Sequence, residues 1–313
     1  MMKRVKRIVI TLVTLLVLLF LAFNIFIAYN YSSSISNLIP AKETQKNKYT
    51  YLTKHNFDYK TFEKQNDIQS FNIQSTFEDH QIPVAHINKK QSKGNVILLH
   101  GLGGTKETVY PIAEMFLKMG YTTFMYDQRN SGDNTAPSNT FGIKESKDLL
   151  DIVHYVNDKQ KAEKTIIWGE SFGGATTAFA SPKLNDQIDT IILDSPMSNG
   201  KKMIDKNVAP ISKETGMPLG YLNALGNIGF KVTQGIWFND LDASQALKKS
   251  TTPILIMHSK TDKIIDYQDG VDLYQASRAN KKELYEIKGS KHTEFIFDHP
   301  KTYQKVVTQF IEE

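Results

Sequence analysis

Apolar residues in this chain recur as short consecutive runs, and the segments between these runs have helical spacing. Consecutive apolar positions are typical of strands buried on both faces, as in a parallel sheet. The runs are NVILLH (95–100), YTTFMY (121–126), TIIWG (165–169), TIILD (190–194), PILIMH (253–258) and ELYEI (283–287). The helix-like segments are 107–119, 144–157, 172–181, 268–279 and 299–312. Strands that alternate with helices predict an α/β fold with a mostly parallel sheet and helices on both faces.

Two stretches depart from this alternation. SFNIQSTF (70–77) and IPVAHIN (82–88) surround the turn EDHQ, which predicts an antiparallel hairpin before the parallel strands. The stretch that follows LDSP (193–196) is too long for a simple crossover and contains the helix-like segment 219–238. We therefore expect a helical cap inserted at about 197–248.

The N-terminal segment has a different pattern. Residues 8–29 carry no charge and follow the basic residues Lys3, Arg4, Lys6 and Arg7. At 1.5 Å per residue, a helix of this length spans about 33 Å, which matches a hydrocarbon core of about 30 Å. Basic residues on the leading side alone favour an N-terminus in the cytoplasm. The pattern predicts a single-pass anchor in the cell membrane, with the rest of the chain on the extracytoplasmic side.

The predicted organisation has three parts. A basic stub and transmembrane signal anchor occupy 1–30, a polar juxtamembrane tether occupies 31–65, and a globular domain occupies 66–313. A cleaved signal peptide is the alternative interpretation of the first part, with the small residues Ser32–Ser34 near its cleavage site. The protein would then be secreted. Both interpretations place the globular domain outside the cytoplasm.

Composition narrows the possible chemistry. The formal net charge is +5, and the basic residues beyond the N-terminus are scattered, so the sequence does not indicate nucleic-acid binding. The chain has no cysteine, which excludes disulfides, thiolate catalysis and cysteine zinc sites. We expect no metal and no cofactor, and the pattern does not indicate an oligomeric state.

The candidate nucleophile is Ser171, which lies in the motif G-E-S-F-G at 169–173 between a buried strand and a helix-like stretch. In this context small flanking residues allow a strained turn that exposes the hydroxyl. The turn also places the hydroxyl at a helix N-terminus, where the helix dipole favours developing negative charge. A chance match in an ordinary turn is the alternative, and the strand–turn–helix context favours the nucleophile.

A serine nucleophile needs a base, and the base needs an acid that orients it. The predicted acid is Asp262, just beyond the strand PILIMH; Asp194, which ends the preceding strand, is the alternative, and Asp266 is better explained as a loop or capping carboxylate. The predicted base is His292, in the loop after ELYEI, whereas His299 begins the final helix. These choices give the chain order serine, aspartate, histidine, which accompanies this type of serine turn.

The glycine-rich segment HGLGG at 100–104 directly follows the first buried strand. Backbone N–H groups in such a loop can converge on an oxyanion, and we predict Leu102 and Phe172 as the two donors. A plain glycine turn is the alternative. His100 and His258 lie at strand ends and are assigned structural roles.

Together these motifs resemble those of the α/β-hydrolases, and more narrowly the membrane-anchored or extracellular hydrolases of the serine aminopeptidase-like group. The resemblance extends from about residue 70 to the C-terminus and is carried by His100–Gly104, YDQRNSG (126–132), Gly169–Gly174, LDSP (193–196), PILIMHSKTD (253–262) and GSKH (289–292). It implies an α/β-hydrolase fold with Ser171 as nucleophile, Asp262 as acid and His292 as base, and with Leu102 and Phe172 as oxyanion donors.

The resemblance also implies that Asp127 and Arg129 hold the loop after the second parallel strand, which is a structural role. Asn130 and Ser259 stand where the group usually has glycine. The cap at 197–248 matches no subgroup, so the resemblance does not define the substrate.

The predicted activity is hydrolysis of an ester or related acyl bond in a small-molecule or lipid-like substrate, through an acyl-enzyme. A peptidase or amidase of the serine aminopeptidase type is an alternative. A non-catalytic binding protein on a hydrolase fold is another, disfavoured because every catalytic side chain is present. A haloalkane dehalogenase would need aspartate in place of Ser171.

Overall fold

The computed structural model describes residues 2–312. Contacts divide the chain into two compact units. We call the first the helical unit, formed by Met1–Leu38 with Lys201–Asp240, and the second the sheet unit, formed by Ile39–Gly200 with Leu241–Glu313.

Regular elements alternate along the chain as the apolar pattern predicts. The strands are β1 Ile68–Gln74, β2 Gln81–Ile87, β3 Asn95–Leu99, β4 Thr122–Tyr126, β5 Thr165–Glu170, β6 Thr190–Asp194, β7 Ile254–Ser259 and β8 Lys282–Ile287. The helices are α1 Met2–Ser36, α2 Ala41–Lys46, α3 Thr50–Lys54, α4 Tyr59–Gln65, α5 Tyr110–Met119, α6 Glu145–Lys159, α7 Phe172–Ala180, α8 Gly200–Thr215, α9 Leu219–Gln234, α10 Ala243–Leu247, α11 Tyr267–Ala276, α12 Phe295–Asp298 and α13 Pro300–Glu312.

The sheet unit contains one sheet whose eight strands, within residues 2–312, have the order β1-β2-β4-β3-β5-β6-β7-β8. The strands from β3 to β8 are parallel to one another. β1 and β2 form the predicted antiparallel hairpin, and β2 also runs antiparallel to β4. The sequence therefore predicted both the parallel sheet and its antiparallel start correctly.

The central strands are buried along their whole length. Every residue of β3, β4, β6 and β7 is buried, which is why their apolar residues stand at consecutive rather than alternating positions. Because β5, β7 and β8 are parallel, their carboxyl ends meet at one edge of the sheet. The loops that follow these strands are therefore brought together at that edge.

Helices α2, α3 and α4 occupy the stretch for which the sequence pattern predicts a polar tether. They belong to the sheet unit, and α3 and α4 are anchored by Leu52, which is 0% exposed, and Phe62, which is 3% exposed. Both side chains lie in the hydrophobic core cluster that also contains residues of α5 and α13. Helices of five to seven residues bury about one apolar side chain each, which is too few for a visible period.

The helical unit contains α1, α8 and α9. The α1 helix is long and apolar enough, by length and composition, to cross a membrane. Its C-terminal part packs closely on α9, where a Cβ atom at Gly229 would lie 2.1 Å from the carbonyl oxygen of Ala28. Tyr31 donates a hydrogen bond of 2.9 Å to the side-chain oxygen of Asn223 in the same contact. Helices α8 and α9 lie within 197–248, the stretch for which the sequence predicts a helical insertion.

Candidate active site

Ser171 lies in a sharp turn between β5 and α7. Its backbone has φ +50° and ψ −113°, a sparsely populated conformation for a residue with a side chain. A Cβ atom at Gly169 would lie 2.7 Å from the carbonyl oxygen of Gly173, and one at Gly173 would lie 2.6 Å from that of Leu99. The chain doubles back so tightly that only glycine fits at these positions. The turn places the Ser171 side chain just beyond the end of β5.

The structure brings Ser171, His292 and Asp262 together as a hydrogen-bonded chain. Nε2 of His292 lies 2.9 Å from Oγ of Ser171, and Nδ1 lies 2.6 Å from Oδ2 of Asp262. An ionised aspartate can only accept hydrogen bonds, so Nδ1–H donates to it and Nε2 accepts from the serine hydroxyl. The three residues follow β5, β8 and β7, respectively, which explains how positions far apart in sequence meet.

The Asp262 side chain is buried, with 0% of its surface exposed. Its Oδ1 accepts hydrogen bonds from the backbone N–H groups of Ile264 (2.8 Å) and Ile265 (3.0 Å). Burial acts to raise the pKa of this carboxyl, but hydrogen bonds from His258 and His292 outweigh burial and hold the pKa well below its usual range. The carboxylate therefore stays ionised at neutral pH.

The other candidate carboxylates have different partners. Asp194 accepts hydrogen bonds of 2.9 Å from the hydroxyl of Ser195, the next residue in the sequence, and from that of Tyr303. Asp266 caps α11 by accepting a hydrogen bond of 2.8 Å from the N–H of Gln268. The structure thus joins Asp262, and neither of these, to the imidazole next to Ser171.

His258 also lies beside the aspartate, although its position at a strand end suggested only a structural role. Its Nε2 is 3.4 Å from Oδ2 of Asp262 and 3.2 Å from the carbonyl oxygen of Ile265. The ring is completely buried, and a Cβ atom at Gly270 would lie 2.7 Å from its Nδ1. The spacing of four residues between His258 and Asp262 was the available signal in the sequence.

The loop that contains Leu102 forms another side of the site. Leu102 lines the same cavity as Ser171, and Phe172 is the first residue of α7, where backbone N–H groups lack intrahelical partners. Lys106, just after this loop, connects it to the loop after β4. Its backbone N–H donates a hydrogen bond of 2.8 Å to Asp127. Its ammonium group donates to Asp127 at 2.6 Å and to Asp133 at 2.9 Å.

The predicted structural residues occupy the loop after β4. Asp127 accepts a hydrogen bond of 2.9 Å from the N–H of Asp133, which closes this loop. Arg129 is completely buried and lies 3.8 Å from Asp148 while its guanidinium donates to Glu78. His100 is neutral and structural, because its Nε2 accepts from the N–H of Gln128 at 3.0 Å.

Glu170, the residue before Ser171, fills a variable position of the motif, so the sequence pattern predicts no role for it. Its Oε1 accepts a hydrogen bond of 3.0 Å from the N–H of Gly101 in the glycine-rich loop. Burial raises the pKa of this carboxyl to about 8, and the charge of Asp194 acts in the same direction. Glu170 is therefore mostly protonated at neutral pH.

A cavity of about 520 Å³ opens over Ser171 and His292. Residues of the segment before β1, of the glycine-rich loop and of the loops after β7 and β8 line it. The lining includes Asn47, Tyr51, Lys54, Leu102, Lys263, Ile264, Lys291 and Glu294. Among residues 2–312, no group of His, Asp or Glu side chains is arranged to hold a metal ion.

Comparison with known families agrees with this architecture. Residues 94–233 match the family model described as alpha/beta hydrolase fold, and residues 228–299 match the model described as serine aminopeptidase, S33. Together the two matches extend from just before β3 to the end of α12. They include the positions of Ser171, Asp262 and His292.

The chain is also similar to several individual proteins. It is 25% identical to protein YqkD of Bacillus subtilis, over 81% of this chain and 82% of that protein. It is 22% identical to the membrane protein YNL320W of Saccharomyces cerevisiae, over 75% and 77%. The solved structure of the Pyrococcus furiosus esterase Pf2001 superposes with a TM-score of 0.66, at 19% identity, over 82% of this chain and 94% of that one. By its sheet, its serine turn and both family models, the chain has the alpha/beta hydrolase fold.

Proposed function

We propose that the protein is a serine hydrolase that cleaves esters through an acyl-enzyme, with Ser171, His292 and Asp262 as its catalytic triad. The observation that carries the proposal is the continuous hydrogen-bonded chain from the serine hydroxyl through the imidazole to the carboxylate, at 2.9 Å and 2.6 Å. The 2.9 Å spacing suits proton transfer between the hydroxyl and the ring, and the 2.6 Å hydrogen bond to the carboxylate holds the ring in the orientation that this transfer needs.

The first step is attack of Ser171 Oγ on the acyl carbonyl carbon, while His292 Nε2 takes the hydroxyl proton. The ionised Asp262 stabilises the imidazolium that forms and fixes its orientation. The N–H groups of Leu102 and Phe172 donate to the carbonyl oxygen as it becomes negative. Loss of one such donor typically slows acyl transfer about 10²–10³-fold.

The tetrahedral intermediate then collapses and the ester C–O bond breaks. His292 gives its proton to the departing alkoxide, so the alcohol leaves neutral and the acyl group remains on Ser171. Water attacks the acyl-enzyme with His292 again as base, which releases the acid and restores the serine. A positioned acid–base group of this kind contributes roughly 10²–10⁴-fold in rate.

Amide hydrolysis is the second candidate activity. It is favoured by the match of residues 228–299 to the serine aminopeptidase model. The same triad would serve both reactions, because attack, oxyanion stabilisation and leaving-group protonation are shared. Rates for short p-nitrophenyl esters and for aminoacyl p-nitroanilides, measured side by side, distinguish the two.

The apolar α1 helix and the membrane-protein relative suggest membrane association. We further propose that α1 is an uncleaved anchor and that the sheet unit lies on the extracytoplasmic side. The support is the basic residues Lys3, Arg4, Lys6 and Arg7 on the leading side of the apolar run. Protease treatment of intact cells expressing a C-terminally tagged chain tests the topology, since a cytoplasmic domain would be protected.

A fluorophosphonate probe tests the hydrolase proposal directly, because it reacts covalently with activated serines. We expect labelling of the wild type, none of Ser171→Ala, and undiminished labelling of Ser70→Ala, which alters an exposed serine of β1. Equal labelling of the wild type and Ser171→Ala would exclude Ser171 as the nucleophile.

A further inference from the structure

The mouth of the cavity over Ser171 has an unusual concentration of positive charge. Among residues 2–312, the lysines that line it are Lys54, Lys263 and Lys291. They come from different elements: Lys54 ends α3, Lys263 directly follows the triad aspartate, and Lys291 directly precedes the triad histidine. Three separate segments of the chain thus each contribute one lysine to the lining of the cavity.

The carboxyl groups that line the cavity are fewer than these lysines. One of them belongs to Glu294, whose carboxyl oxygens lie 3.7 Å from Lys54, 3.7 Å from His55 and 4.0 Å from Lys291. The other carboxyl of the lining is Glu170, whose raised pKa of about 8 leaves it mostly neutral at pH 7. The lining therefore holds three lysines against two carboxyl groups, one of which is mostly neutral at pH 7.

An excess of this kind attracts anions over a distance set by the salt concentration, about 8 Å at physiological ionic strength. The side chains of Lys54 and Lys291 are 68% and 81% exposed, so they can reorient toward a ligand. Leu102 and Ile264 add apolar side chains to the lining, which an acyl chain can contact. The lining thus combines apolar side chains with lysines.

We propose that the site prefers esters that carry a carboxylate or phosphate group, which Lys54, Lys263 and Lys291 bind while the scissile carbonyl lies at Ser171. This inference rests on the proposed esterase function and adds the charge of the substrate to it. The anionic group can belong to the acyl part or to the alcohol part of the ester, and the two are separated by experiment.

The first arm of the test compares three p-nitrophenyl esters of matched chain length: the hemiadipate, which is anionic, the hexanoate, which is neutral, and the ε-aminohexanoate, which is cationic. We expect kcat/KM to decrease in that order. The second arm places the charge on the alcohol and compares monobutyryl glycerol phosphate with monobutyryl glycerol in a pH-stat. A preference confined to one arm identifies the part of the ester that bears the anion.

Variants assign the preference to the lysines. Lys54→Met, Lys263→Met and Lys291→Met should each reduce the ratio of kcat/KM for the anionic over the neutral ester by about 1.5- to 5-fold. The triple variant should reduce it by about 10-fold or more, and so should 1 M NaCl, where the screening length is about 3 Å. The control is Lys260→Met, an exposed lysine paired with Glu286 at 2.6 Å outside the cavity lining, which should leave the ratio unchanged.

Equal kcat/KM for the three p-nitrophenyl esters, together with equal rates for the two glycerol esters, would overturn this inference and leave the hydrolase function intact. A ratio that the triple variant leaves unchanged would also overturn it. Failure to hydrolyse any of these esters, together with failure of the fluorophosphonate probe to label Ser171, would overturn the proposed function and this inference with it.

Discussion

His258 Nε2 lies 3.4 Å from Oδ2 of Asp262, the same oxygen that accepts the hydrogen bond of His292. Two imidazoles thus face one carboxylate oxygen, one from the solvent-facing side of the site and one from the protein interior. The buried ring cannot reach the substrate. We expect it to act as a positioning residue that restricts the orientation of the carboxylate.

Replacement of His258 by phenylalanine fills the same space without an N–H donor. Because hydrogen bonds to charged groups are worth about 1.5–3 kcal/mol and this one is long, we expect kcat to fall about 10-fold with little change in KM. Asparagine at this position, which keeps a donor, should restore part of the rate. A phenylalanine variant with wild-type kcat and an unchanged pH profile would show that the contact is only structural.

Glu170→Gln tests the protonated carboxyl next to the nucleophile. As pH rises through about 8, Glu170 ionises and places a negative charge beside the developing oxyanion. We expect wild-type kcat/KM to decline above pH 8 and the decline to be absent in Glu170→Gln, which stays neutral. Identical alkaline limbs in the two proteins would contradict this assignment.

The same substitution has a consequence for stability. The pKa of Glu170 is raised on folding from 4.5 to about 8, so the folded state holds a proton that the unfolded state releases. The contribution of this group to the free energy of unfolding is therefore complete below pH 4.5 and is lost as pH rises to 8. Thermal unfolding should show that the advantage of Glu170→Gln over the wild type grows between pH 5 and pH 8.

Tyr51→Phe removes a hydroxyl that bonds to the loop of the triad histidine. The hydroxyl lies 3.2 Å from both the carbonyl oxygen and Oγ1 of Thr293, a β-branched residue held at φ +56° directly after His292. Such a conformation persists only where neighbours enforce it. We expect kcat to fall several-fold at unchanged overall stability, while Tyr59→Phe, a matched change in α4, should be silent. Equal kcat for the two variants would refute this role.

Gly173→Ala tests the tight turn. Its Cβ atom would lie 2.6 Å from the carbonyl oxygen of Leu99, and backbone cannot yield as a flexible side chain does. We expect a large loss of stability, measured by thermal unfolding, and loss of probe labelling. Gly220→Ala, in α9, is the control: among residues 2–312 no atom beyond the neighbouring residues and the helix backbone lies within 4 Å of a Cβ atom added there, and the change should stabilise the helix by up to about 1 kcal/mol. A tolerated Gly173→Ala would show that the turn can widen.

The fold was largely predictable because its signals are local and strong. Short apolar runs such as NVILLH and TIIWG are typical of buried strands, and G-E-S-F-G indicates a turn that requires glycine. The assignment of Asp262 over Asp194 was also possible, since Asp262 lies just beyond a buried strand in PILIMHSKTD, one of the segments that carry the family resemblance. The geometry around Ser171 agrees with that choice.

Other features depend on contacts that no local pattern reports. Glu170 resembles any surface glutamate until its burial next to Gly101 is known, and His258 resembles any strand-end histidine. Leu52 is the one buried side chain of α3, so its packing into the core leaves no period in the sequence. These residues become visible only when distant segments are assembled, because their environment and not their type sets their role.

The helices between α1 and the first strand also set a limit on how the protein can be shortened. Asn47, Tyr51 and Lys54 form part of the wall of the cavity, and Ile39 contacts Gly103 in the glycine-rich loop. A soluble version trimmed to begin at Ile68 would keep every strand and all three triad residues. Its cavity would nevertheless be open along one side, so a substrate could reach the serine without being held there.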